Sequence, residues 1–354
     1  MPVIELISDP TLISPMWLTQ VLRASGTLVE GNVVNVEWEM IGTGKMGDNA
    51  RFSLTYDGDY NAPARLIAKL PATDETARAV AGGMGAYLKE VMFYKELAGQ
   101  SAICTPKIYL AMIDDNSDFI ILMEDLAPAE PGSQLIGETI ERAQQAIAEA
   151  AKLHAAFHAK NELLGRDYIT HTDADTAAFG QELMQQNWPG FVQRFGHGLS
   201  EESIAFGDEY VANHARWVAR YNGPKTLIHG DFRTENILFS ENKRAAVVDW
   251  QTLTESCGMA DIAYFIGGSL DIECRRAHEK ALVEYYRQRL VEAGIELSSE
   301  ECWQQYREFS IHGLLLTVLG AMFSQPEARS DEMFLIMIQR HLQHCVDMKA
   351  RDFL

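Results

Sequence analysis

Residues 227–251 read LIHGDFRTENILFSENKRAAVVDWQ, and the interpretation of the whole chain turns on this stretch. Asp231 follows His229 and Gly230, Asn236 stands five residues further on, and Asp249 comes near the end. The apolar runs 237–239 and 245–248 are separated by polar residues, the pattern of two short strands in a tight hairpin. Such a hairpin carries Asn236 and Asp249 at its two ends. Both are hard oxygen donors of the kind magnesium takes when it bridges phosphates. Asp231 offers a carboxylate to accept or orient the proton of an attacking hydroxyl. Asp and Asn in turns commonly satisfy their own backbone. Four fixed positions, however, recur by accident in only about 0.002 of chains of about 350 residues, at about one in 20 per position.

Upstream, residues 41–50 contain Gly42, Gly44 and Gly47 in a literal GxGxxG, whose missing side chains let backbone amides approach a phosphate. A dinucleotide-binding fold places such a loop between a strand and a helix, whereas a kinase places it between two antiparallel strands. Residues 51–56 alternate apolar and polar, which favours the second arrangement. Lys45 lacks the Ser or Thr that would follow it in a Walker loop. Ser14 and Pro15 open a short helix, residues 34–38, 51–56 and 65–70 read as strands, and 86–97 has helical spacing. Residues 107–113 and 119–124 return to strand character, and Gly82, Gly83 and Gly85 predict a loop or flap over 74–85. Beyond about residue 125 helical spacing dominates, over 140–159, 208–221, 277–293 and 301–318. The sequence thus predicts an α+β fold with a β-rich lobe over 1–125 and a mainly helical lobe over 126–354.

The spacing from His229 to Asn236 matches the HRDxxxxN catalytic loop of protein kinases, with Gly230 in place of arginine, and Asp249 stands where those enzymes carry a metal-binding Asp. Taken with MADIAYF at 259–265, these motifs make the chain resemble the aminoglycoside phosphotransferase and choline kinase family, of protein-kinase-like fold. Within it the chain looks most like the ecdysteroid kinase-like and related bacterial phosphotransferase branches, from about residue 18 to the last helices. The resemblance implies Asp231 as the catalytic residue, Asn236 and Asp249 as ligands for one or two Mg2+ ions, and ATP or GTP as co-substrate. It implies that Lys69, in RLIAKLP, grips phosphate and that Glu90, in YLKEVMFYKEL, pairs with that lysine. A lysine beside a triphosphate needs such an opposed carboxylate to hold its chain. Backbone groups near Glu124 and Leu126 would meet a purine edge at a hinge, and Gly42, Gly44 and Gly47 would cover the phosphates. His229 and Asp261 are implied as supports of the catalytic loop. Asp249 is followed by Trp250 and Gln251 without the glycine of the protein kinases, so their activation switch is not expected.

Competing chemistries fare worse. His154 and His158 are four apart, but Ala155 stands where a zinc protease needs Glu, and His341, His344 and Cys345 lack a second ligand pair. No GxSxG elbow occurs. Fifty acidic against 30 basic residues give a net charge of −20, which repels nucleic acid and anionic lipid. Five scattered cysteines without a CxxC pair predict a reducing cytoplasm. The acidic N-terminal residues and the shortness of the apolar stretch 313–323 predict neither export nor membrane insertion. The expected function is transfer of the γ-phosphoryl group of ATP or GTP to a hydroxyl of a metabolite or antibiotic-like acceptor. The alternative is an inactive nucleotide-binding regulatory module of the same fold. The acceptor and the oligomeric state stay open at this level.

Overall fold

Five strands, β1 (Val33–Ile41), β2 (Asp48–Tyr56), β3 (Arg65–Leu70), β4 (Ile108–Ile113) and β5 (Phe119–Glu124), form one antiparallel sheet in the order β1-β2-β3-β5-β4. The computed structural model describes residues 4–42, 46–242 and 244–354. The sheet belongs to a unit made of Met1–Gln100, Thr105–Pro128 and Val248–Gln251, while a second unit comprises Ser101–Cys104, Ala129–Val247 and Thr252–Leu354. Neither unit is one uninterrupted segment.

In the first unit, α1 (Pro15–Ala24) starts at Ser14, whose hydroxyl accepts from Trp17 N at 3.2 Å. Its Trp17, Leu18, Val21 and Leu22 pack on Phe52, Leu66, Ala68, Ile120 and Leu122. The intervening strand residues Ile67, Phe119, Ile121 and Met123 join a separate core with Ala86, Tyr87 and Val91. Alternation along a strand sends neighbours to opposite faces, so Lys69 shares a face with Ile67. That face is covered by α2 (Glu75–Gly83) and α3 (Ala86–Met92), and α3 carries Glu90. Most of 74–85 is therefore helix α2 instead of the expected loop or flap. Asp74 caps α2 by accepting from Ala77 N at 2.7 Å, Gly82 and Gly83 fall in its last turn, and Gly85 at φ +67° separates it from α3. The glycines end the helix rather than prevent it.

The second unit contains α4 (Ile140–Phe157), α5 (Asn161–Leu164), α6 (Ala174–Phe195), α7 (Glu201–Arg220), α8 (Met259–Ser269), α9 (Ile272–Glu292), α10 (Ser299–Phe309), α11 (His312–Met322) and α12 (Ala328–Asp347). Short strands β7 (Thr226–Ile228) and β10 (Thr254–Ser256) pair, and β6 (Glu130–Pro131) joins the hairpin of β8 (Ile237–Phe239) and β9 (Ala245–Val247). All residues of α8 are buried, and α4, α9, α10, α11 and α12 pack around it. A helix apolar on every side has no amphipathic stripe, which is why it gave no periodic signal. In α6 the obstacle is different, since Pro189 inside the helix reads as a break in the sequence. The single helix expected over 301–318 is two. Ser310, whose hydroxyl bonds Arg307 O at 2.7 Å, makes the corner between α10 and α11. Among the described residues no helix is long and apolar enough to cross a membrane.

Candidate active site

Lys69 and Glu90 meet because β3 and α3 present them to one another, with Nζ and Oε2 2.7 Å apart and both side chains buried. The same ammonium lies 3.0 Å from Asp249 Oδ1. Burial works against the Lys69 charge, but Asp249 and Glu90 outweigh it and hold the ammonium above its ordinary pKa. Burial pushes the Glu90 carboxyl upward, with Lys69 opposing and Asp249 adding to the shift. Two carboxylates thus compete for one cation. Asp249 sits at φ +68°, in the left-handed region, and its side chain is 41% exposed. Trp250 anchors the position. Its amide donates to Glu90 Oε1 at 3.4 Å, and its fully buried ring stacks on Phe93 with centroids 3.6 Å apart.

The glycine loop joins β1 to β2. Gly42 has φ +76°, and a Cβ at Gly47 would lie 3.2 Å from Leu70 O and 3.6 Å from Lys69 Cε, so the chain passes close over the lysine. Gly44 lies outside the described residues. Glu124 ends β5, where its amide donates to Lys107 O at 2.9 Å, and Leu126 follows beyond the strand. Between them Asp125 is 4% exposed and lies 3.0 Å from Arg51 of β2 and 3.2 Å from Arg65 of β3. This carboxylate ties the chain just after β5 to β3 and, one strand further across the sheet, to β2. Arginine partners so far away in sequence gave no local signal.

In the second unit β7 leads into the loop 229–236. Asp261, in the first turn of α8, accepts from His229 N at 2.8 Å and from Gly230 N at 3.0 Å. Its Oδ2 also lies 3.2 Å from His154 Nε2, and His154 Nδ1 is 2.8 Å from Tyr286 OH. Burial would raise the Asp261 carboxyl, but His154 and the loop amides hold it below its ordinary value. His154 is thus tied to the brace of the loop. His229 Nδ1 accepts from Asp231 N at 3.2 Å, and His229 O accepts from Thr252 Oγ1 at 2.8 Å. Gly230 at φ +87° admits no side chain, because a Cβ would lie 2.2 Å from Thr252 O.

The Asp231 carboxylate is surrounded by donors. Tyr264 OH donates to Oδ1 at 2.9 Å, and Arg233 Nε and Asn236 Nδ2 donate to Oδ2 at 3.3 and 3.0 Å. Asn236 Nδ2 also donates to Asp231 O at 2.9 Å, so the amide nitrogen is engaged and its oxygen is the group left to meet a cation. Tyr264, Arg233 and the Asp125 side chain escaped the sequence reading, whereas the spacing of His154 in its helix points to a buried histidine or one anchoring that helix to the catalytic loop. For Tyr264 a signal existed, since it follows Asp261 by three residues and shares its helix face.

A β-sheet unit with a lysine–glutamate pair and a helical unit with this loop define a two-lobed protein-kinase-like fold. Solved structures agree. Choline kinase from Cryptosporidium parvum is 11% identical with a TM-score of 0.56, covering 95% of this chain and 97% of that one. Plasmodium vivax ethanolamine kinase is 14% identical with a TM-score of 0.52, covering 95% and 89%. An ADP-bound aminoglycoside phosphotransferase is 15% identical with a TM-score of 0.50, covering 93% and 98%. Residues 49–298 match the ecdysteroid kinase-like family, and the chain belongs to that family. A curated relative, acyl-CoA dehydrogenase family member 11 of Gallus gallus, is 43% identical over 56 residues, which span 14% of this chain and 7% of that protein.

Proposed function

We propose that this protein is a small-molecule kinase that transfers the γ-phosphoryl group of ATP or GTP to a hydroxyl of a metabolite or antibiotic-like acceptor. The observation that carries the reading is the Lys69–Glu90–Asp249 triad, in which a buried lysine is held extended by a helix carboxylate beside a half-exposed aspartate. Lys69 would bind phosphate, Glu90 would orient Lys69, and Gly42, Gly44 and Gly47 would let backbone amides approach the phosphates. Glu124 and Leu126 would meet the base through their backbone. The triad carries one excess negative charge, and the Asp249 carboxylate and the Asn236 amide oxygen are each the type of hard donor that magnesium takes. One or two Mg2+ ions held by Asn236 and Asp249 would supply neutralisation of phosphate charge. Asp231 takes the proton of the acceptor hydroxyl as its oxygen bonds the γ-phosphorus, and the nucleoside diphosphate leaves with the electron pair of the broken P–O bond. His229 and Asp261 keep the loop in place. The five free cysteines support a reducing compartment, the cytoplasm.

Thermal denaturation with nucleotides tests the binding step. Mg-ATP or Mg-GTP at about 100 times its dissociation constant adds roughly 2.7 kcal/mol. A screen of hydroxylated compounds for nucleotide-dependent phosphorylation then tests the transfer. No melting shift with ATP or GTP, with magnesium or manganese, sinks the reading.

A further inference from the structure

Helix α8 contacts the loop 229–236 at three successive points. Asp261 holds the amides of His229 and Gly230, Tyr264 OH donates to the Asp231 carboxylate, and Ser269 Oγ accepts from Thr234 N at 3.3 Å. The helix is buried throughout, so it cannot shift without disturbing every neighbour. Tyr264 itself is 2% exposed, and its ring stacks on His341 at 5.2 Å with an interplanar angle of 9°. His312 meets the same ring edge-on at 6.1 Å. The phenol therefore has little freedom to move.

A carboxylate offers about four acceptor positions, two on each oxygen. On Asp231, Arg233 and Asn236 occupy Oδ2 and Tyr264 occupies one position on Oδ1. Among the described residues the position remaining is on Oδ1, the oxygen that Tyr264 holds. We propose that Tyr264 is a positioning residue for phosphoryl transfer, fixing the Asp231 carboxylate so that Oδ1 receives the proton of the acceptor hydroxyl. This rests on the kinase reading above. The acceptor proton moves to Oδ1 as the new P–O bond forms, and Tyr264 keeps its own proton throughout. Burial, together with the charge of Asp231, holds the phenol well above its ordinary range, so it stays a donor.

A buried tyrosine also bonds whatever acceptor lies nearest for stability alone, and a double-mutant cycle separates the two roles. Tyr264→Phe keeps the ring on His341 and removes one hydroxyl. The expected result is nucleotide affinity and acceptor KM within about twofold of wild type, with kcat lowered about 10- to 100-fold, the worth of a hydrogen bond to a charged group. In an Asp231→Asn background the same substitution should cost less than about twofold, because the partner charge is gone. Equal costs in both backgrounds, or an unchanged kcat in Tyr264→Phe, overturn the proposal while leaving the kinase reading intact. Wild-type turnover in Asp231→Asn removes Asp231 from the mechanism and so overturns the proposal, while the phosphoryl transfer then measured leaves the kinase reading standing. A structural arm requires no acceptor. Crystal structures of the wild type and Tyr264→Phe should show the Asp231 carboxylate rotated or split in the variant, and an unmoved carboxylate rejects the proposal.

Discussion

Lys69 on β3 and Glu90 on α3 form a buried ion pair 2.7 Å long. Each charge would be costly alone, since burial disfavours an unpaired ion by several kcal/mol. The pair is therefore built into the packing of α3 on the sheet.

Removing the lysine should expose that dependence. Lys69→Ala leaves Glu90 buried without its cation, a change that costs about 3 kcal/mol or more. A carboxyl whose folded pKa exceeds its unfolded value supports folding at low pH and loses that support as pH rises through the folded value. Urea denaturation should show a larger loss of stability at pH 8 than at pH 5, with the fold retained at both. Equal losses at the two pH values would mean that Glu90 is solvated or paired elsewhere.

Gly230 sets a steric limit on the loop. A non-glycine residue in the left-handed region costs about 1–2 kcal/mol. Here the added Cβ would also lie 2.2 Å from Thr252 O, a backbone atom without freedom to rotate away. Gly230→Ala should lower stability by about 2 kcal/mol or more and abolish turnover, whereas Gly223→Ala should be mild because only the ring of Tyr221 must give way. A melting temperature for Gly230→Ala within a degree of wild type would contradict the geometry.

The parts of the fold legible in the sequence are those whose pattern is local. Period-two alternation located β1 and β2, and short apolar runs located β4, β5 and, after Asn236, the hairpin of β8 and β9. The same parity places Lys69 on the face toward Glu90, so two residues singled out separately are brought together by β3 and α3. What stayed hidden is non-local or aperiodic. Asp125 meets Arg51 across 74 positions, α8 is buried on all sides, and Pro189 lies within α6. Tyr264 was overlooked because a tyrosine in an apolar helix reads as core, and its hydroxyl matters only once the loop is seen beside it.

The buried histidines predict acid sensitivity. Burial, reinforced by His312, Arg340 and Arg275, pushes His341 down to about 3, and burial pushes His214 down to about 4. The unfolded chain, with histidine near 6.5, binds more protons than the fold between about pH 6.5 and these values. Stability then falls as pH falls through that window, by about 1.4 kcal/mol per pH unit for each histidine. His341→Asn removes one titrating group, so its stability should decline less steeply between pH 7 and pH 5. Parallel slopes in chemical denaturation would rule out His341 as a contributor.

Asp249 links the lysine triad to the proposed metal, and its backbone decides which substitution tests the link. At φ +68° asparagine is tolerated better than other non-glycine residues, so Asp249→Asn preserves the turn where Asp249→Ala would add strain. Asparagine keeps an oxygen but removes a charge, which weakens a hard-cation site more than it weakens contacts to the nucleotide. It also relieves Lys69 of one of its two carboxylate partners, leaving the ammonium freer to meet phosphate. Calorimetry should therefore show Mg-ATP affinity reduced about tenfold or more, with affinity for ATP in EDTA unchanged or improved. The ratio of the two affinities is the informative quantity, because a general disturbance of the nucleotide site lowers both. If Asp249→Asn keeps the wild-type ratio, Asp249 is not a metal ligand, and its role is confined to holding Lys69.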